Sequence, residues 1–196
     1  MPRYLTVEQV KAYHRSEIPT ADDEFIEAAC DAAEAMLDQE CGRRFMTPQT
    51  ATARLYRPES WDLVRMHDCT TVTAVTSGGA TVSSSLYQLE PVNGLTLAGE
   101  TVPYTRIRLL SGAWDVGALN GNEATISVTA TWGWAAIPAR IEQAALIVAK
   151  EIITNRDEVK LGLVGFSDVG GVTARTNPIV RDTIAAYKRV EAFGLA

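Results

Sequence analysis

The sequence predicts an α+β fold: a helical bundle formed by N- and C-terminal helices with an inserted antiparallel β-sheet or small barrel. Apolar residues recur at helical spacing toward both ends of the chain, over residues 21–41 and 138–156. Between them, residues 45–132 break into short runs rich in Val, Thr, Tyr and Ile, separated by glycine and asparagine turns. A length of 196 residues with 46% hydrophobic and 21% charged residues suits one well-packed domain with a sizeable insertion. The division expected is residues 1–44 for the first helices, 45–134 for the β-rich insert, and 135–196 for a core helix, a glycine-rich loop and a closing helix.

The first helix is expected over residues 6–14. Thr6 can cap it, Glu8 and Gln9 fill its first turn, and Val7, Val10 and Tyr13 share a face. Residues 16–20, with Pro19, interrupt the pattern. A second helix begins near Thr20 or Ala21, with Asp22, Asp23 and Glu24 where the helix dipole favours negative charge, and stops at Gly42 after Cys41. Phe25, Ala29, Cys30, Ala33, Met36 and Leu37 form its apolar stripe. Glu24, Glu27, Asp31, Glu34 and Asp38 form the opposite one, with no basic residue between Asp22 and Gly42. The ordinary explanation is a solvated face. The sharper one is an acidic wall turned toward a lumen or a basic partner.

The middle of the chain supplies six β-rich runs, ATARLYR, LVRMHD, TVTAVTS, SLYQLE, YTRIRLL and ATISVTATW. Gly78 and Gly79, Asn93 and Gly94, Ser111 and Gly112, and Asn120 and Gly121 mark turns between them. In the last run Ile126, Val128 and Ala130 alternate with Thr125, Ser127, Thr129 and Thr131, so that strand should bury one face. Helix resumes at Pro138, a proline suited to the first turn, and runs to about Asn155 or Arg156, with Ile141, Ala144, Ala145, Val148, Ala149 and Ile152 on its apolar side. Residues 157–176 are glycine-rich and aperiodic, which predicts a long loop, either mobile or ordered by a partner. Asn177 and Pro178 then start a last helix with Val180, Ile184 and Tyr187 inward and Lys188 and Arg189 near its end.

A net charge of −6 argues against a protein whose main task is to grip phosphates, yet it suits the wall of a channel through which DNA must slide. Three cysteines, an odd number, fit a reducing compartment. Cys30 and Cys41 would lie about 16 Å apart on one helix and cannot bridge there. The start MPRYLTVEQV lacks a signal peptide's basic and apolar regions, and no run of about 18 apolar residues exists, so action where the chain is made is expected, without a membrane.

Chemistry-bearing motifs are weak. GLVGFSDVGG, residues 162–171, follows a helix and lacks the Lys-Ser/Thr of a phosphate loop, so a surface loop is favoured. Met66, His67, Asp68 and Cys69 stand together, but on a regular strand His67 and Cys69 would share a face and Asp68 would point away, so no oriented nucleophile results. Two histidines, His14 and His67, without paired spacing do not make a zinc site. The exposed carboxylate stripe offers no asymmetry to separate two pKa values. Trp132 and Trp134, flanking Gly133, read as core rings at a corner. The expectation is therefore no enzyme, no catalytic or metal-binding residues and no cofactor.

A short helix (LTVEQVKAY), an acidic alanine-rich helix (DDEFIEAACDAAEAMLDQECGRRF), a strand entering a corner and core helix (TATWGWAAIPARIEQAALIVAKEI), and a glycine loop with a terminal helix (GLVGFSDVGGVTARTNPIVRDTIAAYKRV) resemble tailed-bacteriophage head-tail adaptor proteins, also termed head-tail connector or head completion proteins. The resemblance covers most of the chain and rests on shape and small residues, with no catalytic signature. It implies a structural joint in the virion neck, assembled in the host cytoplasm: a ring of this chain, commonly twelve copies, between the portal protein and the next neck protein, a head-tail stopper or tail-terminating protein. DNA would pass through the lumen without sequence-specific binding. The conserved unit implied is the helical bundle, and residues 45–132 depart from the most compact members.

On that reading Phe166, Tyr187, Lys188, Arg189 and Phe193 are the expected partner-binding residues, an aromatic and basic mixture typical of interface anchors. Glu24, Glu27, Asp31, Glu34 and Asp38 are the expected lumen-facing stripe. Two alternatives carry different chemistry. A DNA-binding, small-terminase-like packaging subunit would use the first two helices as a helix-turn-helix, but its recognition helix would present carboxylates to phosphate. A small hydrolase would need His67 or Cys69 as its reactive group.

Overall fold

The computed structural model describes residues 4–14, 22–45, 50–96, 99–117, 123–160 and 177–189, with only the backbone for 156–160. The chain divides into two compact units, one formed by Met1–Phe45 with Ile137–Ala196, the other by Met46–Ala136. Among the described residues, four helices and one antiparallel sheet make the fold α+β. Among the described residues no helix is long and apolar enough to cross a membrane.

The helical unit contains α1 (Val7–His14), α2 (Asp23–Cys41), α3 (Ala139–Lys160) and α4 (Pro178–Tyr187). A reciprocal cap starts α1: Gln9 N–H donates to Thr6 Oγ1 (3.2 Å) while Thr6 N–H donates to Gln9 Oε1 (2.7 Å). Gly42 ends α2 in the left-handed region at φ 63°, and its region of backbone returns N–H groups to the carbonyls of Asp38 and Gln39. The core stripe of α2 is Ile26, Ala29, Cys30, Ala33, Leu37 and Cys41. Expected Phe25 and Met36 are only half-buried, because the true stripe is rotated slightly and Ile26 points inward. α3 packs on α1, α2 and α4, and buries Ile141, Ala144, Ala145, Ile147, Val148, Ala149 and Ile153. Its helix continues to Lys160, so the loop expected from residue 157 does not begin there. Asn177 Oδ1 accepts from Ile179 N–H (3.0 Å) to start α4, which buries Val180, Thr183 and Tyr187.

In the other unit, β1 (Thr52–Tyr56), β2 (Leu63–Ser77), β3 (Ala80–Thr81), β4 (Tyr87–Glu90), β5 (Tyr104–Leu109) and β6 (Ile126–Trp132) form one sheet in the order β1-β6-β2-β5-β4, with β3 paired to β2. LVRMHD and TVTAVTS, expected as two strands, are one 15-residue strand. Irregular register at residues 65–69, 69–71 and 72–74 bends it, so its first part pairs with β5 and its second with β6. Gly78 and Gly79, both at positive φ, close the β2–β3 hairpin. A single 3-10 turn over Ser84–Leu86 replaces the start of the expected SLYQLE strand. β6 buries Ile126, Val128, Ala130 and Trp132 in alternation, as its pattern required. With Val64, Met66, Cys69, Val75, Ile107, Leu109 and Trp114 these residues form a core contained within this unit.

Candidate functional site

The acidic stripe of α2 divides into two halves with different work. Tyr4 occupies the C-terminal half: its N–H donates to Glu34 and its hydroxyl donates to Asp38, one helical turn on. The same hydroxyl accepts from Phe45 N–H (2.7 Å). Burial, then the Asp38 hydrogen bond, holds the Tyr4 phenol well above its ordinary range, and burial raises the Asp38 carboxyl. Glu34 and Asp38 are therefore half-buried structural partners of the N-terminal segment. Glu24, Glu27 and Asp31 stay on the exposed surface.

The partner-binding set divides too. Tyr187 is 5% exposed and packs edge-on against Phe45 (centroids 5.7 Å apart), which in turn meets Tyr4 at 6.1 Å. An aromatic ring spent on the core of the helical unit is not an exposed anchor. Lys188 is exposed and Arg189 half-buried. Phe166 and Phe193 lie outside the described residues. What the sequence did not show is how close the two basic pairs come. Arg189 N–H donates to the Cys41 carbonyl (2.8 Å), which sets Lys188 and Arg189 beside Arg43 and Arg44 where α2 and α4 both end. Each pair follows a helix C-terminus in the sequence, and that was the available signal.

The Met66–Cys69 stretch is taken apart by the bend in β2. His67 is exposed and shares a hydrogen bond of 2.8 Å between its Nδ1 and the Tyr56 hydroxyl. Asp68 and Cys69 are both buried, so His67 and Cys69 do not share a face as expected; the register irregularity breaks strict alternation. Asp68 Oδ2 accepts from Trp134 Nε1 (3.0 Å). Burial, then the neighbouring Asp68 charge, pushes the Cys69 thiol up to about 12, the reverse of what a nucleophile needs. Cys69 also lines a groove of about 420 Å³ with Thr70, Pro91, Leu95 and Tyr104, which brings no activating base to it. Among the described residues no three His, Cys, Asp or Glu side chains are grouped to hold a metal ion.

Two surface features of the β unit escaped sequence reasoning. Trp61 and Leu110 are exposed by 65% and 60%, and sit with Leu86 at one end of the sheet, where Leu110 N–H donates to the Leu86 carbonyl (2.9 Å). Beside them Arg108 bridges Asp62 (2.6 Å) and Glu90 (2.7 Å). Pairing of that kind is set by register and is not readable from spacing.

No protein-family model matches the sequence, and no curated protein matches it. Among solved structures, a chain in "Neck of empty GTA particle computed with C6 symmetry", a gene transfer agent, is similar to this one with a TM-score of 0.57 and 18% identity. The alignment covers 98% of this chain and 93% of the other. The chain therefore has the fold of a chain in that neck.

Proposed function

We propose that this chain is a non-enzymatic structural component of the neck of a phage-like particle, a head-tail adaptor. Carrying that reading is the fold match across 98% of the chain, which takes in both units and not merely a common helical motif. The finer assignment is a ring, with twelve copies as its expected number, seated between the portal protein and the stopper or tail-terminating protein, with DNA passing through its lumen. Twelve copies are compatible with the sixfold symmetry of the similar particle. The chemistry of the chain agrees with a joint. The reactive-looking residues are dispersed or held protonated, whereas charge and exposed apolar groups are concentrated on surfaces.

The packaging-subunit alternative gains no support, since the exposed side of α2 carries Glu24, Glu27 and Asp31 toward any phosphate. The test is genetic and microscopic. Removing the chain should leave DNA-filled heads unjoined to tails, and adding it back should restore joining. Normal particles made without it would refute the adaptor reading.

A further inference from the structure

Four cations, Arg43, Arg44, Lys188 and Arg189, meet at one corner of the helical unit. The bond from Arg189 N–H to the Cys41 carbonyl joins the two helix ends, and Arg189 Cβ comes within 3.8 Å of where a side chain on Gly42 would start. Lys188 is close enough for its charge to act on the Cys41 thiol. Two carboxylates of α2, Asp38 (3.9 Å from Arg44 Nε) and Glu40, lie in the same turns. Helix C-termini favour such cations through their dipoles. The first half of α2, a helix about 28 Å long by helical rise, carries Asp23, Glu24, Glu27 and Asp31 after Asp22 at its cap, with Lys11 paired to Asp23 (2.5 Å). The first half of α2 is therefore acidic, whereas the corner just beyond its C-terminus gathers four cations, and the two surfaces differ in charge.

Copies of a chain with net charge −6 repel unless their unlike surfaces face one another. We propose that the cationic corner docks on the acidic N-terminal half of α2 in a second copy of this chain, head to tail. A contact between two different surfaces repeats, and closes into a ring when its rotation divides the circle. This rests on the ring in the proposed function. It gives the exposed half of the acidic stripe to a neighbouring copy instead of a lumen.

Charge reversal in the full-length protein tests it by sedimentation velocity at low and high salt. Wild type should form an oligomer that dissociates as salt rises. Arg44→Glu/Lys188→Glu and Glu24→Lys/Glu27→Lys, all at surface positions, should each sediment as monomers with unchanged far-UV CD. Mixed in equal amounts, the two should recover the oligomer, because every junction again joins unlike charges. Oligomers that survive both reversals, or a mixture that stays monomeric, would overturn the inference while leaving the neck reading intact. So would intact oligomers with loss of duplex-DNA binding in the R44E/K188E protein, which would make the corner a phosphate site. A wild type monomeric at every concentration overturns the inference and removes self-assembly in solution, and particle imaging then decides the neck reading separately.

Discussion

Tyr4 shows how a single side chain organises the helical unit. Its backbone and hydroxyl together engage Glu34, Asp38 and Phe45, and its ring packs on Phe45, so one residue fixes the chain entry and the end of α2. Tyr4→Phe keeps the ring and removes the hydroxyl, leaving the buried Phe45 N–H without that acceptor; a loss of about 1–3 kcal/mol is expected, measurable by urea unfolding. A second residue-scale prediction concerns pH. Burial raises the thiols of Cys41 to about 11 and of Cys69 to about 12, from 9.0, and raises the Tyr4 phenol as well. Because these groups lose protons earlier in the unfolded chain, their contribution is complete below pH 9.0 and is lost as pH rises toward 12. Thermal melting at stepped pH should show a Tm falling from pH 9.0 upward, less steeply in Cys69→Ala than in wild type once the lower starting stability is allowed for. The positions of the carboxylates on α2 were legible from helical spacing, but the use of two of them by Tyr4 was not. That contact spans 30 and 34 residues of sequence and depends on tertiary packing.

At the scale of elements, periodicity and end signals were readable wherever a local rule decides them. Thr6, Gly42, Asn177 and Pro178 occupy the caps their chemistry specifies. β6 alternates as its sequence does. The bends in β2 were hidden, because a bulge is chosen by two partner strands and not by the run that contains it. This hid the fate of His67, Asp68 and Cys69 as well. For α4, the sequence pointed both to an inward face and to a partner-binding role for Tyr187, and the structure buries Val180, Thr183 and Tyr187 within the helical unit. Removal of residues 177–196 should therefore lower Tm rather than leave the remainder undisturbed. Tyr187→Ala alone should cost about 3 kcal/mol through the cavity it leaves, read by denaturant unfolding. Lys188→Glu should leave stability nearly unchanged, since the side chain is exposed.

For the whole molecule, the two chain ends build one unit, and the residues between them build a sheet with its own core. The self-contained cluster from Val64 to Trp132 predicts that residues 46–136, expressed alone, give a β-type far-UV CD spectrum and a cooperative melt. A random-coil spectrum would show that the sheet depends on the helices. The α+β class and the order of elements were legible because alternation and helical spacing differ along the chain. The assembled role was not legible at the same depth, since surfaces that meet partners carry no periodic signature. Its central claim, a structural place in a particle neck, meets its most direct measurement in an asymmetric and symmetrised cryo-EM reconstruction of the particle that contains this chain. Density for both units, repeated in a closed ring between head and tail, is the expected result. Particles whose neck density contains no copy of this fold would contradict it.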